Sequence, residues 1–195
     1  ARYWCKPKHK NLLKVVVPIT PDEVIAELKK LGVNISRNTL LNYEKWGLIP
    51  EAERGSHGKG KGRYADYPPE TIAEAYASYC ALRGLTFSET ANLITPDGIY
   101  QQNFQICDGG AFKVKVSPRQ VAVIRKRALD FEAGNTKALF SVKAGEGEHL
   151  TPPVIVLAID WLQNKARIEM GVPPGEPLTL RYSRAPDGRL LKKAE

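Results

Sequence analysis

The sequence predicts a mainly α-helical chain with small β elements, an α+β fold. Three observations carry that prediction. Apolar residues recur at helical spacing in several segments, most of them opened by a capping residue and several closed by glycine. Short β-capable runs flank turns made of glycine, aspartate and proline. Composition is that of an ordinary globular protein: 195 residues, 43% hydrophobic and 26% charged.

That composition excludes wholesale disorder, collagen and coiled-coil fibre. The longest apolar run, 154–159, is followed by Asp160 and falls far short of the ~18 residues of a membrane span. The opening ARYWCKPKHK has no apolar stretch behind it, so no secretory signal is expected. Cys5, Cys80 and Cys107 are too few and too scattered for a disulfide framework, and a reducing cytoplasm is the expected compartment. Net charge is +8, and its distribution matters more than its size. Residues 1–64 hold 13 Lys/Arg against 6 Asp/Glu, whereas residues 65–117 hold 3 against 6. A polyanion is the natural partner for that first third.

The elements follow in order. Residues 1–17 form a basic arm that runs into a short apolar strand, 12–19. Thr20-Pro21-Asp22-Glu23 is a capping box with proline at the first helical position. Val24, Ile25, Leu28 and Leu31 give that helix one apolar face, and Gly32 stops it. Ser36 caps a second helix, and Gly47 ends it. Two short helices joined by a tight link are the helix-turn-helix pattern. On the second, Leu40, Tyr43 and Gly47 share one side, and Arg37, Asn38, Leu41, Asn42 and Lys45 occupy the other. Arginine, asparagine and lysine together can reach base edges and phosphates, although the same mixture also suits a solvated face.

Pro50 breaks the chain's helical course. Flanks near 52–54 and 63–65 then predict a hairpin whose tip, 56–62, carries Lys59 and Lys61 between glycines. A thin cationic tip suits phosphates or a minor groove, and equally a plain surface loop. A third helix is predicted from Pro69 to Arg83, with Ile72, Ala75, Tyr76, Tyr79, Cys80 and Leu82 on its apolar side. Thr86 and Glu89 make a capping box for a fourth, short helix ending near Ile94.

Helix, turn, helix, basic hairpin, helix and short helix, carrying TLLNYEKWGLIP, GRYADY and ALRGLTFSETANLI in that order, resemble the DNA-binding domain of the MerR family of transcription regulators. The matching positions are Thr39, Leu40, Tyr43, Glu44, Gly47, Leu48, Ile49 and Pro50, then Arg63, Tyr64 and Tyr67, then Leu82, Gly84, Phe87 and Ser88. The family places Arg-Tyr where this chain has Leu41-Asn42, and the link over 33–38 is about two residues longer than in many members. The resemblance implies a winged helix-turn-helix over residues 18–97; residues 98–195 carry no resemblance and read as a small α+β domain with a dimerisation or effector role. It implies a sequence-specific regulator with its recognition helix, 36–46, in the major groove of double-stranded DNA. The candidate contacts, read from the outer side of that helix and from the hairpin, are Arg37, Asn38, Leu41, Asn42 and Lys45, with Arg54, Lys59, Lys61, Arg63 and Tyr64 gripping flanking phosphates; Tyr43 is carried over from the family motif as a backbone contact. A homodimer is implied, since family operators are two-fold. A small-molecule effector fits the same family pattern without being identified by any residue.

Family regulators continue from the fourth helix into a long dimerisation helix. Here the turn 95–98 is expected to stop the chain's helical course. Strands over 99–107 and 111–116 then flank Asp108-Gly109-Gly110. Ser117 and Pro118 start a helix to about Phe131, and Thr151-Pro152-Pro153 starts a longer one through Met170. The latter is apolar on most sides near its start, which fits either the centre of an α+β domain or a dimer interface. Runs at 178–183 and 189–191 form a final hairpin around Pro186-Asp187-Gly188.

No cofactor, metal or catalytic residue is expected. Cys5 and His9 supply two of the four ligands zinc needs, and Cys107 has no cysteine near it in sequence. His9, His57 and His149 fall on the arm, the hairpin tip and a glycine-rich stretch, and no nucleophile elbow or phosphate loop is present. An excisionase-like accessory factor of a mobile element is the alternative reading. A third class holds a sequence-insensitive RNA or membrane-surface binder, or an enzyme with a basic face.

Overall fold

The structure, a computed structural model, describes residues 17–56, 63–83, 91–95, 98–102, 116–139, 152–174, 176 and 178–194. Thr20 opens α1 (Pro21–Lys30) with a complete capping box, its hydroxyl accepting the Glu23 N–H while the Glu23 carboxylate accepts the Thr20 N–H. Val24 and Leu28 bury the inner face. Gly32, at φ +79°, ends the helix in a Schellman turn, with Val33 N–H donating to Leu28 O at 2.9 Å and Gly32 N–H to Lys29 O at 3.0 Å.

Ser36 caps α2 (Arg37–Lys45) by accepting the Thr39 N–H at 3.1 Å. The same kind of turn closes α2. Gly47 sits at φ +71°, and Leu48 N–H donates to Tyr43 O at 2.8 Å. Both turns aim the next apolar side chain inward, so Val33 and Leu48 are buried. The chain then forms β1 (Glu53–Ser56) and β2 (Arg63–Asp66), an antiparallel hairpin in which Glu53 faces Asp66 and Gly55 faces Tyr64. Of the described residues of the strand expected at 12–19, Ile19 alone pairs, bridging Tyr67 at the hairpin's base through bonds of 2.9 and 2.8 Å. Its first five residues and the tip at 57–62 lie outside the described residues.

The third helix, α3 (Thr71–Arg83), is the axis of the molecule. Ala73, Ala75, Ala77 and Ala81 are small enough to let neighbours approach closely, and all four are buried. α1 packs on one side, and α4 (Pro118–Glu132) and α5 (Pro152–Met170) on others. α5 lies along α3 and buries Leu157, Ile159, Trp161, Leu162 and Ala166 in one core that includes Leu40, Tyr43 and Leu48. Of the two possibilities left open for this helix, its described apolar face serves the chain's own core.

Residues 91–95 correct the sequence reading. They form β3 (Ala91–Thr95), a strand, where the end of a fourth helix was expected; 84–90 lie outside the described residues. Where the turn at 95–98 was expected to stop a helix, β3 is followed by β4 (Gly98–Gln102), its antiparallel partner, and 96–97 lie outside the described residues. The physical reason lies in the pairing. Helix propensity is a weak prior, and all of Ala91–Thr95 find a hairpin partner while Leu93 and Ile94 also find a parallel neighbour. That neighbour is β5 (Leu180–Arg184), followed by β6 (Leu190–Ala194), so the sheet order is β4-β3-β5-β6. The expected strand at 99–107 is described only to Gln102, and 103–115 lie outside. Phe131 of α4 meets Tyr182 of β5 edge-on at 5.1 Å, joining sheet to helices. The boundary expected at 97/98 falls inside the β3–β4 hairpin, and β3 pairs with β5 some 85 residues on. The described chain is an α+β protein.

Candidate nucleic-acid interface

The second helix sorts its side chains by chemistry. Leu40 and Tyr43 face the core, while Arg37, Asn38, Leu41, Asn42 and Lys45 are all exposed. Four-residue spacing makes two rows, Arg37–Leu41–Lys45 and Asn38–Asn42–Trp46. Glu44 is the helix's sole acid, and its carboxylate is turned toward the hairpin. Its Oε1 accepts the Ala52 N–H at 3.0 Å and Arg54 Nη1 at 2.6 Å. Its Oε2 accepts Arg54 Nη2 at 2.5 Å and the Tyr67 hydroxyl at 2.8 Å. Burial pushes this carboxyl up, and those four donors hold it below its ordinary value all the same. The outward face therefore presents two cations and two amides with no competing carboxylate of its own.

The hairpin's position follows from the same network. Arg54 was expected on a phosphate. Its guanidinium forks onto Glu44 instead, because a bidentate carboxylate inside the chain satisfies it better than solvent. It fastens hairpin to helix. Tyr43, also expected as a backbone contact, is only 4% exposed, and burial raises its hydroxyl to about 12. Its ring lies 6.5 Å from that of Trp46, so it supports the exposed face from beneath. Arg63 is exposed at the start of β2, and half-buried Tyr64 covers Gly55 across the strands so closely that a side chain there would strike its ring. Lys59 and Lys61 lie outside the described residues.

Two features escape sequence reasoning. Trp46 is 45% exposed beside Lys45, although tryptophan ordinarily packs inward. Glu44 is the joint between helix and hairpin; the sequence marks it as a motif position and as the sole acid of its helix, but not which groups it binds. The remaining half of the chain braces this region from behind. Arg125 of α4 pairs with buried Glu74 at 2.7 Å and donates to Gly47 O at 3.3 Å. Trp161 of α5 donates to Ser78 Oγ at 3.1 Å, and Ser78 donates to Leu48 O at 2.9 Å. Both relays end on the turn that closes α2.

No family model, no curated protein and no solved structure matches the chain. Amides that donate and accept, flanked by cations on an exposed helix, are suited to a polyanion with hydrogen-bonding edges. Cys80 is packed between α3 and its neighbours, and burial raises its thiol to about 11, which makes it a poor nucleophile or metal ligand at neutral pH. Among the described residues no group of three or more His, Cys, Asp or Glu gathers to hold a metal, and no helix is long and apolar enough to cross a membrane.

Proposed function

We propose that this chain is a sequence-specific DNA-binding regulator of the MerR type, with residues 18–97 acting as a winged helix-turn-helix. In this reading α2 enters the major groove, the β1–β2 hairpin lies on flanking phosphates, and two copies address a two-fold site. The observation that carries it is the outward face of α2: Arg37, Asn38, Leu41, Asn42 and Lys45 exposed, with Glu44 withdrawn onto Arg54. A helix about 10–12 Å across with its side chains fits a groove about 12 Å wide.

The test is binding to random-sequence duplex DNA across a salt series. Arg37→Ala with Lys45→Ala should weaken binding and flatten the slope of log affinity against log salt by about 1 for each phosphate no longer neutralised. A slope identical to the parent's would remove α2 from the interface. Lys59→Ala with Lys61→Ala should act in the same way on every sequence.

One observation favours the accessory-factor alternative. Family regulators pair through a long free helix, whereas the described face of α5, the longest of the described helices, is buried against α3. Sedimentation with and without DNA separates the two readings: a dimer in the absence of DNA supports the regulator, and a monomer that assembles only on DNA supports the accessory factor.

A further inference from the structure

The exposed face of α2 is uneven in a way that names a base composition. Cations stand at the two ends of one row, Arg37 and Lys45, and Leu41 lies between them, 40% exposed. Asn38 and Asn42 fill the parallel row, both exposed, and among the described residues neither side chain is held by a hydrogen bond. A primary amide offers one donor and one acceptor side by side, which matches the N6 donor and N7 acceptor of adenine. A leucine can neither donate nor accept. Its complement in the major groove is the thymine 5-methyl, the one apolar group that any base edge presents there. Guanine asks for arginine or lysine, and those stand at the periphery of the face. Residues four apart are separated by about 6 Å along the helix, close to two base-pair steps of about 3.4 Å. Asn38 and Asn42 thus address pairs about two steps apart, with Leu41 between them.

We infer that the centre of α2 reads A·T pairs, Asn38 and Asn42 against adenine and Leu41 against a thymine methyl group. This rests on the DNA-binding reading above and deepens it. The experiment selects bound duplexes from a random pool, then compares the enriched duplex with a copy in which every thymine is replaced by uracil, a change that removes the 5-methyl alone. The expected result is an enriched core of A·T pairs and binding of the uracil duplex about fourfold weaker per contacted methyl, the worth of one buried methyl group. Leu41→Ala should bind both duplexes alike and keep the parent's salt slope and thermal midpoint, since Leu41 packs no core. Equal affinity of the parent for thymine and uracil duplexes overturns the inference, as does a G·C core or uracil sensitivity that survives in Leu41→Ala. In each of those cases DNA binding itself still stands. Failure to enrich any duplex, with no salt-dependent retention, overturns both.

Discussion

Glu44 shows how one residue can set the charge of a surface by leaving it. Four donors converge on its two oxygens, from Ala52, Arg54 twice and Tyr67, and its side chain is 7% exposed. The Arg54 end is half exposed and therefore screened, so most of the stabilisation lies in the buried bonds. Glu44→Gln keeps the shape but points an amide donor at donors. It should cost about 2 kcal/mol of unfolding free energy in urea titrations. The sign with pH follows from the lowered carboxyl. Its contribution is fully present above an ordinary value of 4.5 and is lost as pH falls below it, so Glu44→Gln should lose part of the parent's acid sensitivity. Stability and acid sensitivity both unchanged by the substitution would show that these four bonds contribute nothing to folding.

At the scale of elements, α4 matters to α2 through one side chain. Glu74 is buried on α3, where desolvation raises its carboxyl and Arg125 pulls it back. Arg125 also reaches the carbonyl of Gly47, where α2 ends. Arg125→Leu strands a buried carboxylate and should cost about 3–5 kcal/mol. Adding Glu74→Gln to it should restore most of that loss, because a neutral amide needs no counter-charge. A double variant as unstable as Arg125→Leu alone would show that the loss comes from packing rather than from the unpaired charge. The relay from Trp161 through Ser78 to Leu48 acts on the same turn from α5.

For the whole molecule, the shared core predicts shared folding. α3 is covered by Ile159, Trp161 and Leu162, all fully buried, so a fragment ending at residue 97 exposes the apolar side of its central helix. Such a fragment should lose cooperative thermal unfolding when followed by circular dichroism, and a sharp melt close to the parent's would show that residues 18–97 fold alone. Asp160 of α5 gives the molecule a pH dependence near neutrality. Burial raises its carboxyl to about 7 from an ordinary 3.8, with Asn164 Nδ2 donating to it at 2.8 Å and Arg167 nearby. Between about pH 4 and pH 7 the folded state therefore holds a proton that the unfolded chain has released, and stability falls as pH rises, by up to about 1.4 kcal/mol per pH unit. Glu74 acts in the same direction. Asp160→Asn should flatten that limb in denaturant midpoints measured from pH 5 to pH 8.

Local chemistry alone determined the helix starts and stops: Thr20 and Ser117 with their capping boxes, Ser36 as a cap, Gly32 and Gly47 as terminators, and the hairpin at 53–66. These signals act over four or five residues, so one chain segment contains everything needed to read them. The exposed residues of α2 were legible for the same reason, since helical periodicity separates Leu40 and Tyr43 from Arg37, Asn38, Leu41, Asn42 and Lys45. Tertiary structure alone decided the rest. It made 91–95 a strand, since pairing with β4 along its whole length and with β5, more than 80 residues away, at Leu93 and Ile94 outweighs weak helical preference. It likewise took Arg54 from a presumed phosphate to Glu44 and joined the α5 core to α3. Those outcomes depend on which distant groups meet, and no local pattern records that.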